Sequence, residues 1–168
     1  MTKIFHTGGC QCGAVRYALH AEPTNPHVCH CRMCQKAFGS FFAPLAGVST
    51  KDLKWTRGVP QVFSSSEETE RGFCGNCGTP LTFHHVFHHR ISVSIGSLDY
   101  PERIAPANQY GIEGRMPWFD TLAGLPGKET KLPKGHEAKL VSRQHPDADT
   151  IDWHVERSHE GHRQGSSA

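Results

Sequence analysis

Val28-Cys29-His30-Cys31-Arg32-Met33-Cys34-Gln35-Lys36-Ala37-Phe38-Gly39 is the stretch on which the reading of this chain turns. It puts three thiols into six residues. Residues i and i+2 of an extended chain share a face, so Cys29 and Cys31 point the same way. A helical turn after them brings Cys34 back beside Cys31, since positions three apart are neighbours on a helix. Two flanking pairs, Cys10-Gln11-Cys12 and Cys74-Gly75-Asn76-Cys77, raise the total to seven cysteines, grouped two, three and two. Structural zinc takes four protein ligands, whereas catalytic zinc takes three and keeps a position for water or substrate. The grouping suggests one closed four-thiolate site and one three-thiolate site with an open corner.

The bulk properties narrow the setting. At 168 residues the chain can bury one real core. A net charge of +2 without any lysine- or arginine-rich run argues against nucleic acid and against a membrane surface as partners. The start, Met1-Thr2-Lys3-Ile4-Phe5-His6, has no signal-peptide apolar region, and no stretch reaches the length of a membrane span. A cytoplasmic protein is therefore expected. In reducing cytosol, close cysteine pairs more often bind metal or do redox work than form disulfides, and an odd count would leave one thiol unpaired.

Apolar, β-prone runs are short and are separated by turn residues, among them seventeen glycines and eleven prolines. Residues 14–19 alternate as a strand should. Residues 40–46, 61–63 and 79–83 read as further strands, and so do residues 90–95, with Ile91, Val93 and Ile95 on one face. The helical signal is confined to Arg32–Phe38. The class is mainly β, with a body over residues 1–126. Residues 127–168 hold seven basic and seven acidic side chains, five histidines and few large apolar ones. Such a segment buries little surface and reads as a polar extension. Within it Ile151, Trp153 and Val155 alternate, as a short docked strand or helix would.

Cys74-Gly75-Asn76-Cys77-Gly78 reads as a knuckle: two thiolates turn around one cation, and Gly78 supplies the positive φ that closes the turn. A thioredoxin-like redox motif is the rival reading of the Cys-x-x-Cys pair; no helix follows it here, and partner cysteines exist. For the middle triplet the rival is a second structural site completed by a histidine, with His30 the nearest. Three thiolates on zinc sum to a charge of −1. That makes a weaker Lewis acid than a three-histidine site, so it suits a thiol ligand better than it suits water activation.

These pieces resemble the glutathione-dependent formaldehyde-activating enzyme and centromere protein V family. The resemblance rests on Gly9-Cys10-Gln11-Cys12-Gly13-Ala14-Val15-Arg16-Tyr17, on the stretch from Val28 to Gly39, and on Phe73-Cys74-Gly75-Asn76-Cys77-Gly78-Thr79-Pro80-Leu81. Gly96-Ser97-Leu98-Asp99-Tyr100-Pro101 and Arg115-Met116-Pro117-Trp118-Phe119 extend it. It implies a β-tent, Mss4-like fold of short antiparallel strands and two zinc ions per chain. It also implies that Cys10, Cys12, Cys74 and Cys77 share the structural zinc, while Cys29, Cys31 and Cys34 hold a second, catalytic one. The implied activity is that of a carbon–sulfur lyase joining glutathione and formaldehyde as S-hydroxymethylglutathione, with a small-molecule thiol and an aldehyde as partners. Where the family often carries a histidine before Pro117-Trp118, this chain has Gln109 or Tyr110.

Glutathione has two carboxylates, so nearby cations should orient it. Arg32, Lys36, Arg71 and Arg115 are the candidates, and Trp118 is the candidate wall of the pocket. Two other readings compete with this one: a non-catalytic zinc module that binds a protein partner, and an enzyme acting on a different thiol adduct. The run Phe83-His84-His85-Val86-Phe87-His88-His89 lies between two expected strands and reads as a solvated hairpin. No nucleophile-elbow signature places a serine for acyl transfer.

Overall fold

The structure, a computed structural model, describes residues 3–131 and 142–153. Ten strands and one helix follow one another: β1 (His6–Gly9), β2 (Arg16–Leu19), β3 (Thr24–Cys29), α1 (Arg32–Phe38), β4 (Ala43–Ser49), β5 (Leu53–Arg57), β6 (Gln61–Ser66), β7 (Thr69–Phe73), β8 (Pro80–His85), β9 (Arg90–Ser94) and β10 (Asn108–Tyr110). They form a three-stranded sheet, β1-β2-β5, and a seven-stranded sheet, β10-β3-β4-β9-β8-β7-β6. Neighbours are antiparallel except that β10 runs parallel to β3. The mainly-β class expected from the sequence is the one observed.

The core lies between the two sheets. Tyr17 and Leu19 of β2 and Leu53 of β5 meet Ala46 and Val48 of β4, Leu81 of β8 and Val93 of β9. Burial of each large side chain contributes on the order of 1.5–3 kcal/mol. Cys10 and Cys74 belong to this same core, so the four-cysteine grouping is sewn into the seam between the sheets. Tyr17 also donates to or accepts from the Ser97 hydroxyl at 2.8 Å across the seam, which satisfies a phenol that would otherwise be buried alone.

Several elements depart from the sequence expectation. β2 does not alternate: all four residues are buried, because β2 is the centre of its sheet and its Arg16 side is covered by Asp99 and Asp149. The run at 90–95 ends as a strand at Ser94, and Ile95–Ser97 turns into a 3-10 segment that still buries Ile95. Strand β4 begins at Ala43 rather than Ser40. Helix α1 keeps the expected bounds and stops at Gly39, whose φ of 57° is a left-handed cap.

Residues 142–153 lie against the body without forming a strand or helix. The His145 N–H donates to the Gln11 carbonyl at 2.7 Å, and the Trp153 indole N–H donates to the Cys12 carbonyl at 2.6 Å. Arg16 reaches Asp149 and Arg57 reaches the Thr150 carbonyl. The alternation seen at Ile151 and Trp153 does not make a shared apolar face, since Ile151 is 99% exposed; polar contacts hold this segment. Val155 falls outside the described residues. Among the described residues no helix is long and apolar enough to cross a membrane.

Candidate metal centres

The sulfur atoms of Cys10, Cys12, Cys74 and Cys77 all lie within 4.8 Å of one another. Local geometry brings them there. Cys10 and Cys12 sit in the turn between β1 and β2, where the Gly13 N–H closes onto the Cys10 carbonyl at 3.0 Å. Cys74 and Cys77 sit in the turn between β7 and β8, closed by the Gly78 N–H on the Cys74 carbonyl at 2.8 Å. Gly78 has the φ of 79° that this turn needs. The Cys10–Cys12 and Cys12–Cys74 sulfurs are 3.6 and 3.7 Å apart, far beyond the roughly 2.05 Å of a disulfide, and all seven cysteines are free.

Protein dipoles are aimed at these sulfurs. The Val15 N–H donates to Cys10 Sγ at 3.2 Å, and the Thr79 hydroxyl lies 3.2 Å from Cys77 Sγ. Burial pushes Cys12 up. For Cys77 burial acts the same way, but the Thr79 hydroxyl and the backbone amides of Thr79 and Cys12 outweigh it and bring the thiol down to about 6. Burial pushes Cys74 up as well, so within the group Cys77 is the thiol whose surroundings favour negative charge.

Cys29, Cys31 and Cys34 form a second group, again within 4.8 Å of one another. Cys29 ends β3, Cys31 precedes α1 as its N-cap residue, and Cys34 is in the first turn. Cys34 is buried with Ala43 and Leu45 beneath Phe38 and Phe83. The Cys34 thiol hydrogen-bonds Cys29 and holds it below the usual thiol range, while that same contact, together with burial, pushes Cys34 up. No fourth His, Cys, Asp or Glu is gathered with the three among the described residues.

The surroundings of the triplet are braced by Gln35, which the sequence did not single out, and by His30 and Gln109, which it did. Buried Gln35 donates through Nε2 to the carbonyls of His30 and Gly114, both at 2.8 Å. The His30 N–H donates to the Tyr110 carbonyl at 2.8 Å, which ties β10 to the cysteine turn. The His30 ring is fully buried. Its Nε2 faces Gln109 Oε1 at 3.0 Å, and it packs edge-on against Phe119 at 4.7 Å and Phe42 at 6.0 Å. Gln109 is thus paired with the buried His30 ring.

The five ligand-orienting candidates take different places. Arg32 and Lys36 are exposed on α1, with Arg32 donating to Gln35 Oε1 at 3.2 Å. Arg115 pairs with Asp120 through both carboxylate oxygens, at 3.2 and 3.0 Å. Trp118 is 46% exposed and stands edge-on to Phe41 at 5.3 Å. Arg71 is buried, with Nη2 on Cys34 Sγ at 3.5 Å and its guanidinium 5.1 Å from the Phe83 ring centre. A cavity of about 420 Å³ opens elsewhere, beside the four-cysteine group, lined by Cys77, Thr79, Ser97, Asp99 and His145. The histidine-rich run is a hairpin joining β8 to β9, with His85 paired to Glu68 at 3.1 Å.

Comparison with known proteins fits this arrangement. The sequence profile described as glutathione-dependent formaldehyde-activating enzyme matches residues 5–112, which takes in all seven cysteines. An uncharacterized lyase of Schizosaccharomyces pombe is 31% identical over 78 residues, covering 46% of this chain and 56% of that protein. The chain thus spans about half the length of this curated relative. A Rhodobacter sphaeroides protein of known crystal structure superposes with a TM-score of 0.51 at 21% identity, over 61% of this chain and 98% of that one. Likeness at that identity shows the fold alone.

Proposed function

The chain belongs to the glutathione-dependent formaldehyde-activating enzyme family, and we propose that it is a zinc-dependent, carbon–sulfur lyase-like enzyme. Its relative in Schizosaccharomyces pombe, named as a lyase, supports the class. The reaction is the joining or cleavage of a thiol–aldehyde adduct, with glutathione and formaldehyde as the leading pair. The supporting observation is that Cys29, Cys31 and Cys34 converge as three ligands without a fourth.

Zinc suits both groups by their donors. Thiolates are zinc's preferred soft ligands, and a tetrahedron with bonds near 2.3 Å has sulfur–sulfur edges of about 3.8 Å. The observed 3.6 and 3.7 Å at the four-cysteine group match that edge. Cys10, Cys12, Cys74 and Cys77 would hold a structural ion in the seam of the core. Cys29, Cys31 and Cys34 would hold the second ion, which supplies acidification of a thiol bound at its open position.

The chain's own residues do the rest. Exposed Arg32 and Lys36, on the same helix as Cys34, offer cations to the two carboxylates of glutathione. Arg115 lies on the Trp118 side, and it can take a ligand carboxylate by exchanging Asp120. Trp118 and Phe41 form an apolar wall beside it. Arg71, buried against Cys34, serves the thiol end of the ligand rather than its carboxylates. In the synthetic direction the thiol sulfur bonds to the aldehyde carbon, the carbonyl π pair moves to oxygen, and the thiol's proton ends on the new hydroxyl. Cleavage is the reverse.

Native mass spectrometry with and without glutathione tests this. Two zinc ions and a glutathione-dependent mass shift are expected. The Cys31→Ser variant should lose one zinc and stay folded, whereas Cys77→Ser should lose the seam ion and unfold. Loss of the same ion and the same stability in both variants would sink the division of labour.

A further inference from the structure

We propose that Arg71 is the counter-ion of the three-cysteine centre, a positioning residue whose charge sets how tightly Cys29, Cys31 and Cys34 hold a metal ion. The inference rests on the reading that these cysteines bind a metal.

Arg71 is only 6% exposed. A buried guanidinium is strongly disfavoured unless an opposite charge meets it. The other buried arginine among the described residues, Arg16, obeys the rule: Asp99 pairs with it through two hydrogen bonds of 2.7 and 2.6 Å. Arg71 has no carboxylate partner among the described residues. Its Nε donates to the Ser65 hydroxyl at 3.0 Å and its Nη2 to Cys34 Sγ at 3.5 Å. Nη1 is buried without a partner. What the fold offers this cation is the thiol group.

The charges then balance. Three thiolates around a divalent ion sum to −1, and the guanidinium brings the centre to zero. Strand pairing fixes Arg71 in place, since its neighbours in register are Phe63 on β6 and Phe83 on β7's other side, β8. The Phe83 ring lies against the guanidinium. The four-cysteine group is handled differently. Its sulfurs are met by the Val15 N–H and the Thr79 hydroxyl. A neutral three-thiolate centre can accept one more thiolate, the anion that the proposed reaction brings, without accumulating a charge of −2.

The test is zinc affinity on the full chain, by competition with a chromophoric chelator, with the sulfur-to-cobalt absorption of the Co²⁺ form reporting coordination. Arg71→Gln should weaken the second zinc about tenfold or more, the usual size for loss of a partner behind a metal ligand, and leave the first zinc in place. Arg71→Lys, which keeps the charge, should stay within about threefold of the parent by the same comparison. The inference is overturned if Arg71→Gln holds both ions as tightly as the parent, or if Arg71→Lys weakens the second tenfold. The lysine comparison decides the matter by itself should the glutamine variant fail to fold. If the parent protein binds a single zinc, the reading beneath falls and the inference with it. Two ions in the parent with an unaffected Arg71→Gln would defeat the inference alone.

Discussion

Gly111 shows how finely the three-cysteine turn is fitted. Its φ is 63°, and a Cβ placed there would sit 2.8 Å from the Cys31 nitrogen and 3.1 Å from the Cys31 Cβ. Alanine at this position costs about 1–2 kcal/mol for the left-handed backbone alone, and the clash adds to it. Gly111→Ala should therefore weaken the second zinc selectively, with a fall in Tm of a few degrees. A chelator titration giving parent-like affinity for both ions would show that β10 does not brace the cysteine turn. The clustering of the cysteines was legible in the sequence, because residues two and three apart converge by local geometry. Of the residues that support them, Gln35 was not, and Arg71 was named only as a cation for the ligand. Arg71 meets Cys34 across 37 residues of chain and Gln35 meets Gly114 across 79, distances at which spacing carries no signal.

Among the elements, those with regular apolar content were readable and those held by polar contacts were not. α1 and β9 could be seen from period and composition. β3 carries Pro26, a bulge and a positive φ at Asn25, and β10 is three exposed residues, Asn108–Tyr110; neither shows a strand pattern. Strand β7 holds a buried arginine and Gly72, the reverse of a strand pattern. For residues 142–153 the alternation at Ile151 and Trp153 pointed to docking, but as an apolar strand or helix; the hydrogen bonds that hold the segment leave no mark on its composition. Trp153 is the test of that attachment. Its indole covers Gly13 and bonds the Cys12 carbonyl, so the segment shields the cysteine turn of the four-cysteine group. Trp153→Ala should speed zinc transfer from that group to a chelator severalfold and leave the three-cysteine centre unchanged. Identical release rates in parent and variant would mean that the segment gives the site no protection.

On the scale of the whole molecule, the first cysteine motif and the cysteine-free motif Gly96–Pro101 meet in one ion pair. Arg16, from the first glycine-flanked motif, and Asp99, from Gly96–Pro101, are 3% and 2% exposed, and Thr7 adds a hydroxyl at 2.5 Å from the Asp99 carboxylate. Burial opposes the Asp99 charge, but Arg16 and Thr7 outweigh it and hold the carboxyl below its usual range. His145 is also pushed down, first by burial and then by the charges of Arg16 and Arg57, against the pull of the Pro146 carbonyl and of Asp99. Its Nδ1–H donates to Pro146 at 2.7 Å, which leaves Nε2 to accept from Arg57 at 3.2 Å and from Thr150 at 2.9 Å. A proton on Nε2 would oppose Arg57 directly. Both folded values lie below the unfolded ones, so both contributions are complete above the unfolded pKa and are lost as pH falls through the folded value. The loss should therefore begin below about pH 6.5 for His145 and below about pH 4 for Asp99. Thiolate sites also release metal in acid, so the comparison must be between variants, each unfolded in chelator across pH 8 to 3. His145→Gln should flatten the upper limb of the Tm curve and leave the lower one. Asp99→Asn should lower Tm on the order of 10 °C even at neutral pH, since one partner of a buried pair is worth about 3–5 kcal/mol, and it should erase the lower limb. A parent curve that stays level from pH 7 to 5, or a His145→Gln curve parallel to it, would remove His145 from the account and leave Arg16 and Asp99 as the acid-sensitive lock between β2 and the turn that follows Ile95–Ser97.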